Sequence, residues 1–199
     1  MPLKGRVSEM TKSLLLAGVG GQGTILTSKI LAEGLLKLGY DVKMSEIHGM
    51  AQRGGSVNTQ IRFGEKVYSP MISLGEADVL VAFEKIEAIR YLNFLKPGGT
   101  LIVNDHEIYS LPVLTGRENY PEKVMEKLEQ TVKNTVFIKA AQIARELGNV
   151  KAHNMVLLGA AVKRLGLLEL KWDGLIKDNL PQKSHEINIM AFSEAVKQA

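Results

Sequence analysis

Apolar and polar positions along the chain switch repeatedly between a period of about two and a period of about 3.6 residues, which predicts strands alternating with helices. KSLLLAG (12–18) predicts a buried strand. Ile25, Leu26, Ile30, Leu31, Leu35 and Leu38 then fall on one face of a helix that stops at Gly39. DVKMSEI (41–47) predicts a second strand. VNTQIRFGEKVY (57–68) alternates through Val57, Thr59, Ile61 and Phe63, turns at Gly64 and Glu65, and resumes at Val67 and Tyr68, the pattern of an antiparallel hairpin. ADVLVAF, EKIEAIRYLNFL, the turn KPGG and TLIVND make a strand, helix, turn and strand, a βαβ unit. A loop follows from Leu111 to Tyr120. PEKVMEKLEQTVKN predicts a helix with Pro121 in its first turn, and TVFIKA a last strand. From Ala140 to Ala199 the pattern is helical, broken near Gly148, Gly166 and Pro181. The predicted fold is α/β: three layers, α/β/α, a mixed and mostly parallel sheet with a β-hairpin, and a helical C-terminal third.

Composition narrows this picture. The 199 residues, 45% hydrophobic, suffice for one well-buried core, and no shift in composition marks a second. Residues 1–11 read as an extension expected to be mobile, and 12–199 as a single domain. Net charge is +4, from 25 Lys and Arg against 21 Asp and Glu, with the basic residues scattered. This is a weak pull toward anions and no nucleic-acid footprint. Cysteine is absent, so the chain itself holds no disulfide, thiolate nucleophile or cysteine-ligated cluster. His106, His153 and His185 have no ligand spacing, and no metal site is expected. No apolar run is long enough to span a membrane and the first residues do not read as a signal peptide, so the expectation is a cytoplasmic protein.

The candidate chemistry lies in AGVGGQGTILTSK, residues 17–29. Gly18, Gly20 and Gly23 satisfy G-x-G-x-x-G between a strand and a helix, the context in which backbone N–H groups and a helix N-terminus meet a phosphate. Glu46, at the end of the second strand, occupies the place of the ribose-binding acid of a dinucleotide site. A freestanding NAD(P)-binding oxidoreductase of Rossmann type is therefore one reading. Against it, Glu46 is followed by IHGMAQRGGSVNTQ, a glycine-paired loop leading into a hairpin, where a crossover helix belongs. A purely structural glycine turn is a further alternative.

AGVGGQGTILTSKILAEG, SEIHGMAQRGGSV and GEADVLVAFEKIEAIRYLNFLKPGGTLIVND, in this order and spacing, resemble the gamma-type domain of the 2-oxoacid:ferredoxin oxidoreductases, most closely the branch acting on aryl pyruvates such as indolepyruvate. The resemblance runs from about Lys12 to the C-terminus, and HGMAQRGGSV is its most specific piece. It implies a non-redox subunit of a coenzyme A-dependent enzyme that decarboxylates a 2-oxoacid to an acyl-CoA and passes electrons to ferredoxin. Thiamine diphosphate, Mg and 4Fe-4S clusters are implied in a larger alpha subunit only, in a hetero-oligomer; alone, the chain is expected to self-associate, a homodimer being one form, and to be inactive.

On that resemblance the anion at the glycine loop is coenzyme A. Gly18, Gly20, Gly21, Gln22 and Gly23 would cradle a phosphate, Lys29 would add a point charge and Arg53 a planar fork on a loop freed by Gly54 and Gly55. Asn154 matches an asparagine position of the family, toward a phosphate or the adenine. Plainer readings stand beside these: Lys29 as a solvated helix lysine, and Arg53 paired with Glu46 or with a partner subunit. The roles of Glu46 and His48 stay open, and a catalytic group is not assigned. Met44, Met50, Met71, Met155 and Met190 read as core and interface filler, and Met155, Leu158, Ile187, Ile189 and Phe192 as an apolar docking face.

Overall fold

A computed structural model of the chain describes residues 10–49 and 54–198. The expected mobility of the first residues, the role of Arg53 and the placement of Met50 fall on residues outside these. Six strands form one sheet: β1 (Lys12–Val19), β2 (Asp41–His48), β3 (Ser56–Gly64), β4 (Ala77–Ala82), β5 (Leu95–Asn104) and β6 (Thr135–Ile138), in the order β2-β3-β1-β4-β5-β6. β1, β4, β5 and β6 are parallel, and β3 is antiparallel to both of its neighbours. The mixed, mostly parallel sheet is thus as expected.

The helices are α1 (Thr24–Lys37), α2 (Lys85–Tyr91), α3 (Leu111–Leu114), α4 (Val124–Thr131), α5 (Ala140–Glu146), α6 (His153–Leu165), α7 (Trp172–Asn179) and α8 (His185–Gln198). Central strand β1 reads as a continuous apolar run because it is buried on both faces. Leu14 and Leu16 pack with α1 and α5 to α8, while Leu15 and Ala17 pack with α2 and α4. These are the two outer layers.

Several local expectations change, the first being that Leu111–Leu114, expected within a loop, form α3. The antiparallel hairpin is β2–β3, with Asp41 opposite Gly64 and His48 opposite Val57, and the chain leaves the sheet after Gly64. Both edges of β3 are already occupied by β2 and β1, so no ladder is open to residues 67 and 68. Side chains serve the departing backbone instead: Asp41 accepts from the N–H of Val67 at 2.8 Å, and Gln60 from that of Ile72 at 2.7 Å. KPGG lies within β5 as a register shift, with Ala77 opposite Leu95 but Val79 opposite Thr100. Pro121 precedes α4, which begins only after Lys123 in a left-handed conformation.

The supposed docking face changes as well. Met155, Leu158 and Phe192 belong to the main core, and Ile187 and Ile189 pack half-buried against it. A helical third that, together with α1, covers one face of a sheet needs its apolar stripe for that purpose. Met155 alone among the described methionines of that set is core, whereas Met44, Met71 and Met190 are exposed.

Candidate functional site

The loop Gly20–Gly23 joins the C-terminal end of β1 to α1. Gly21 and Gly23 have φ of 103° and 81°, values that favour glycine. A Cβ on Gly23 would also lie 2.6 Å from Asn154 Nδ2, so the loop and the start of α6 approach as only glycine permits. Gly23 is the N-cap of α1; it offers no side-chain cap, and the first turn carries no acidic residue. The positive end of this fourteen-residue helix therefore has neither a side-chain cap nor an acid of its own first turn to offset it.

Part of the loop's bonding capacity is spent on its own shape. Gly20 N–H donates to the Gly55 carbonyl at 2.9 Å and Gly54 N–H to the Gly20 carbonyl at 3.3 Å, which seats the Gly54–Gly55 segment on the loop. Gln22 is buried; its Oε1 accepts from Val19 N–H at 2.7 Å and its Nε2 donates to the Phe83 carbonyl at 2.9 Å. Gln22 is thus a strap across the strand ends. Gly18 lies within β1, where a Cβ would stand 3.0 Å from atoms of Gln22, Thr24 and Phe83. The N–H groups of Gly21, Gly23 and Thr24 have no backbone partner among the described residues.

Those donors open on a cavity of about 510 Å³, lined by Gly20, Gly21, Gly23, Thr24, Ile25, Leu26, Lys29, His48 and Val57. Ile25, expected on the buried face of α1, is 50% exposed and forms an apolar wall here with Leu26 and Val57. Lys29 Nζ lies 4.0 Å from Glu33 one turn along, its side chain 60% exposed, so it remains available to an anion. His48 Nε2 is 3.3 Å from Glu46 Oε2, which leaves its other ring nitrogen free of that pair.

Asn154 stands on the other side of the loop, in a second cavity of about 420 Å³ that shares Gly21, Gly23 and Leu26 with the first. It is buried, and its Oδ1 has no partner among the described residues. Beside it, burial holds the His153 imidazole below its ordinary range; the Val150 carbonyl opposes that shift, His106 reinforces it, and the Gln22 carbonyl again opposes it. The structure therefore brings Gly20, Gly21, Gly23, Lys29 and His48 to one cavity and puts Asn154 behind the same loop. Among the described residues no cluster of three His, Asp or Glu is arranged to hold a metal.

The dinucleotide reading fails on topology. β3 is inserted between β2 and β1, so Glu46, opposite Thr59 on β3, lies two strand spacings from β1, roughly 9.5 Å. A ribose-binding acid belongs on the strand adjacent to the glycine loop.

Sequence reasoning passed over the polar side chains at the C-terminal ends of the strands on the opposite face. Glu84, the N-cap of α2, is 1% exposed and accepts from the N–H groups of Ile86 (2.6 Å), Glu87 (3.1 Å) and Ile108 (3.3 Å) and from Tyr120 Oη (2.6 Å). Glu87 is 3% exposed. The available signal was an acid placed directly after the apolar run ADVLVAF, at the strand edge where open α/β sheets place ligands.

The family pattern described as pyruvate ferredoxin/flavodoxin oxidoreductase matches residues 13–198. The chain is 40% identical over 190 residues to the indolepyruvate oxidoreductase subunit IorB of Methanothermobacter thermautotrophicus, covering 93% of this chain and 96% of that protein. In fold it is similar to the gamma subunit of a keto/oxoacid ferredoxin oxidoreductase from Geobacter sulfurreducens, with a TM-score of 0.71 at 23% identity over 94% of this chain and 95% of that one. It is also similar to part of the 2-oxoglutarate:ferredoxin oxidoreductase of Magnetococcus marinus, solved with 2-oxoglutarate, coenzyme A and succinyl-CoA bound, with a TM-score of 0.70 at 19% identity over 94% of this chain and 30% of that one.

Proposed function

The chain belongs to the pyruvate ferredoxin/flavodoxin oxidoreductase family, and on that premise we propose that it is the non-redox subunit of a coenzyme A-dependent 2-oxoacid:ferredoxin oxidoreductase acting on indolepyruvate or another aryl pyruvate. Residues 12–199 act as one domain that helps to bind coenzyme A and completes the active site of a larger alpha subunit. That partner carries thiamine diphosphate, Mg and the 4Fe-4S clusters, and ferredoxin is reached through the complex. The donor chemistry of this chain fits the division, since a chain without cysteine has no thiolate to ligate iron.

One observation carries the coenzyme A assignment: the uncapped N-terminus of α1, with the N–H groups of Gly21, Gly23 and Thr24 unpartnered among the described residues, opens on a cavity that also contains Lys29. Bound there, coenzyme A supplies the thiol that takes up the acyl group left when the 2-oxoacid loses CO2, while two electrons pass to ferredoxin. The residues of this chain bind and orient. Gly21, Gly23 and Thr24 donate to phosphate oxygens, Lys29 adds a cation, and Arg53 a bidentate fork beside Gly54 and Gly55. Ile25, Leu26 and Val57 cover apolar parts of the ligand. Asn154, with an acceptor still free, turns toward the adenine amino group or, through its Nδ2, toward a phosphate; Gly18 and Gln22 contribute through the shape of the loop.

The test is the coenzyme A dependence of the complex reconstituted with the alpha subunit. Lys29→Ala and Arg53→Ala each remove a charge-assisted contact, about 1.5 to 3 kcal/mol, and are expected to raise the KM for coenzyme A roughly ten- to hundredfold. Reduction of the clusters by 2-oxoacid without coenzyme A should keep its rate, whereas a docking or folding defect would slow both. An unchanged KM in both variants within an intact complex makes the glycine loop a structural turn.

A further inference from the structure

The glycine loop is held from the opposite face of the sheet. Ser56, the first residue of β3, stands opposite Val19, the last of β1, directly after the Gly54–Gly55 segment that bonds to Gly20. Ser56 Oγ donates a hydrogen bond to Glu87 Oε2 on α2. Tyr91 Oη, one turn further along α2, lies 3.2 Å from Ser56 Oγ and accepts from Asn58 Nδ2 at 3.0 Å. Arg90 Nε donates to Glu87 Oε1 at 3.0 Å.

The direction of these bonds follows from what each group can do. A carboxylate only accepts, so the Ser56 hydroxyl proton is spent on Glu87, and the Tyr91 hydroxyl must donate to Ser56 Oγ. The chain of donors therefore runs from Asn58 through Tyr91 and Ser56 to Glu87. It ends on a carboxylate that is almost wholly buried and paired with Arg90.

Such a network is an uneconomical way to obtain stability. Apolar side chains of similar size in the same place would hold α2 against β3 as well or better. What a directional network adds is register. Apolar contacts tolerate a slide of two residues along a strand, and a slip of one would send Ser56 to the other face, but neither keeps a hydroxyl on Glu87. The register of β3 on β1 is what puts Gly55 and Gly54 on Gly20.

We propose that Glu87 is a positioning residue for the glycine-loop site: through Ser56 it fixes the register of β3 and so the two backbone bonds that seat the 54–55 segment on Gly20. The inference rests on the coenzyme A reading for its functional consequence and on the bond network for its structural one, and the two are separable by experiment.

Amide hydrogen exchange is measured by NMR on the full chain, and the KM for coenzyme A on the reconstituted complex, for Glu87→Ala, Ser56→Ala and Ser56→Thr, with Lys29→Ala as control. Glu87→Ala and Ser56→Ala are expected to speed exchange of the Gly20 and Gly54 amides at least tenfold while Leu15 and Leu80 stay protected, and to raise the KM about tenfold with kcat at saturating coenzyme A retained. Ser56→Thr, which keeps the hydroxyl, should restore both. Exchange at Gly20 and Gly54 as slow in Glu87→Ala as in the parent overturns the positioning role whatever the ligand. Faster exchange with an unchanged KM, while Lys29→Ala raises it, also overturns that role. If Lys29→Ala too leaves the KM unchanged, the coenzyme A reading falls, and the functional half of this proposal with it. Should Glu87→Ala fail to fold, Ser56→Ala carries both measurements.

Discussion

On one face of the sheet Leu14, Leu16, Ile61 and Phe63 meet a carpet of five helices, with Trp172 and Phe192 packed 6.1 Å apart between α7 and α8. On the other, around Leu15, Ala17 and Leu80, β3 carries the buried amides of Asn58 and Gln60, and the start of α2 the buried carboxylates of Glu84 and Glu87. The first face gains its stability from non-directional burial, which rewards area and tolerates small displacements. The second gives up apolar area for groups that must each find a partner in one geometry. Both end at the glycine loop, one through α1 and Asn154, the other through Ser56. The difference suggests a division of labour: the helical face holds the domain together, and the polar face sets where the loop lies to within a hydrogen bond.

Four experiments bear on that division. The largest loss is expected on the apolar face, where Trp172→Ala removes a side chain 2% exposed and leaves a cavity, costing about 3 to 5 kcal/mol in denaturant unfolding followed by circular dichroism. A cost under about 1 kcal/mol would break the comparison at its root. On the polar face Glu84→Ala strips the acceptor from three N–H groups and the Tyr120 hydroxyl, at about 2 to 3 kcal/mol by the same measurement, and Glu84→Gln should recover part of it.

Returning to the helical face, a Cβ at Gly159 would stand 2.4 Å from the Phe192 carbonyl oxygen, which no rotamer can relieve. Gly159→Ala should therefore push α8 from α6 at a cost of about 1 to 3 kcal/mol, with the CoA KM little changed. If the KM moves as much as in Ser56→Ala, the two faces do not divide as described.

The smallest effect expected is a pH slope. Burial first, and then the hydrogen bond to Glu84, hold the Tyr120 phenol well above its ordinary value of 10. From about pH 10 upward the unfolded chain gives up this proton while the folded chain retains it, so the unfolded state binds fewer protons and stability falls with rising pH. Below that window the contribution is complete. Tyr120→Phe should flatten the alkaline slope of unfolding while leaving a smaller loss, that of one hydrogen bond, at neutral pH; an unchanged slope assigns it to other groups.

Much of the fold was legible because it rests on local pattern. The apolar run of Leu14, Leu15 and Leu16 read as a buried strand, and G-G-Q-G (20–23) after it as a turn into a helix. The breaks at Gly148 and Gly166 were equally plain, each glycine ending a helix with positive φ. Of the candidate site, Gly20, Gly21, Gly23, Lys29 and His48 are brought together around one cavity. Ile25 misled because its 3.6-residue spacing places it on the apolar face, whereas as the second residue of α1 it extends past the core.

By itself the sequence determined the alternation of strands and helices over most of the chain, the glycine turn after β1 and the absence of any thiolate, since each depends on residues close together in the chain or on composition alone. Only the tertiary structure decided that β3 enters between β2 and β1, that Glu46 is thereby carried away from the loop, and that Ser56 meets Glu87 across 31 residues of chain. Strand pairing and burial are long-range outcomes. A period of two says that a strand exists but not which neighbour satisfies its N–H groups, and a lone acid reads the same whether it ends in water or beneath a sheet.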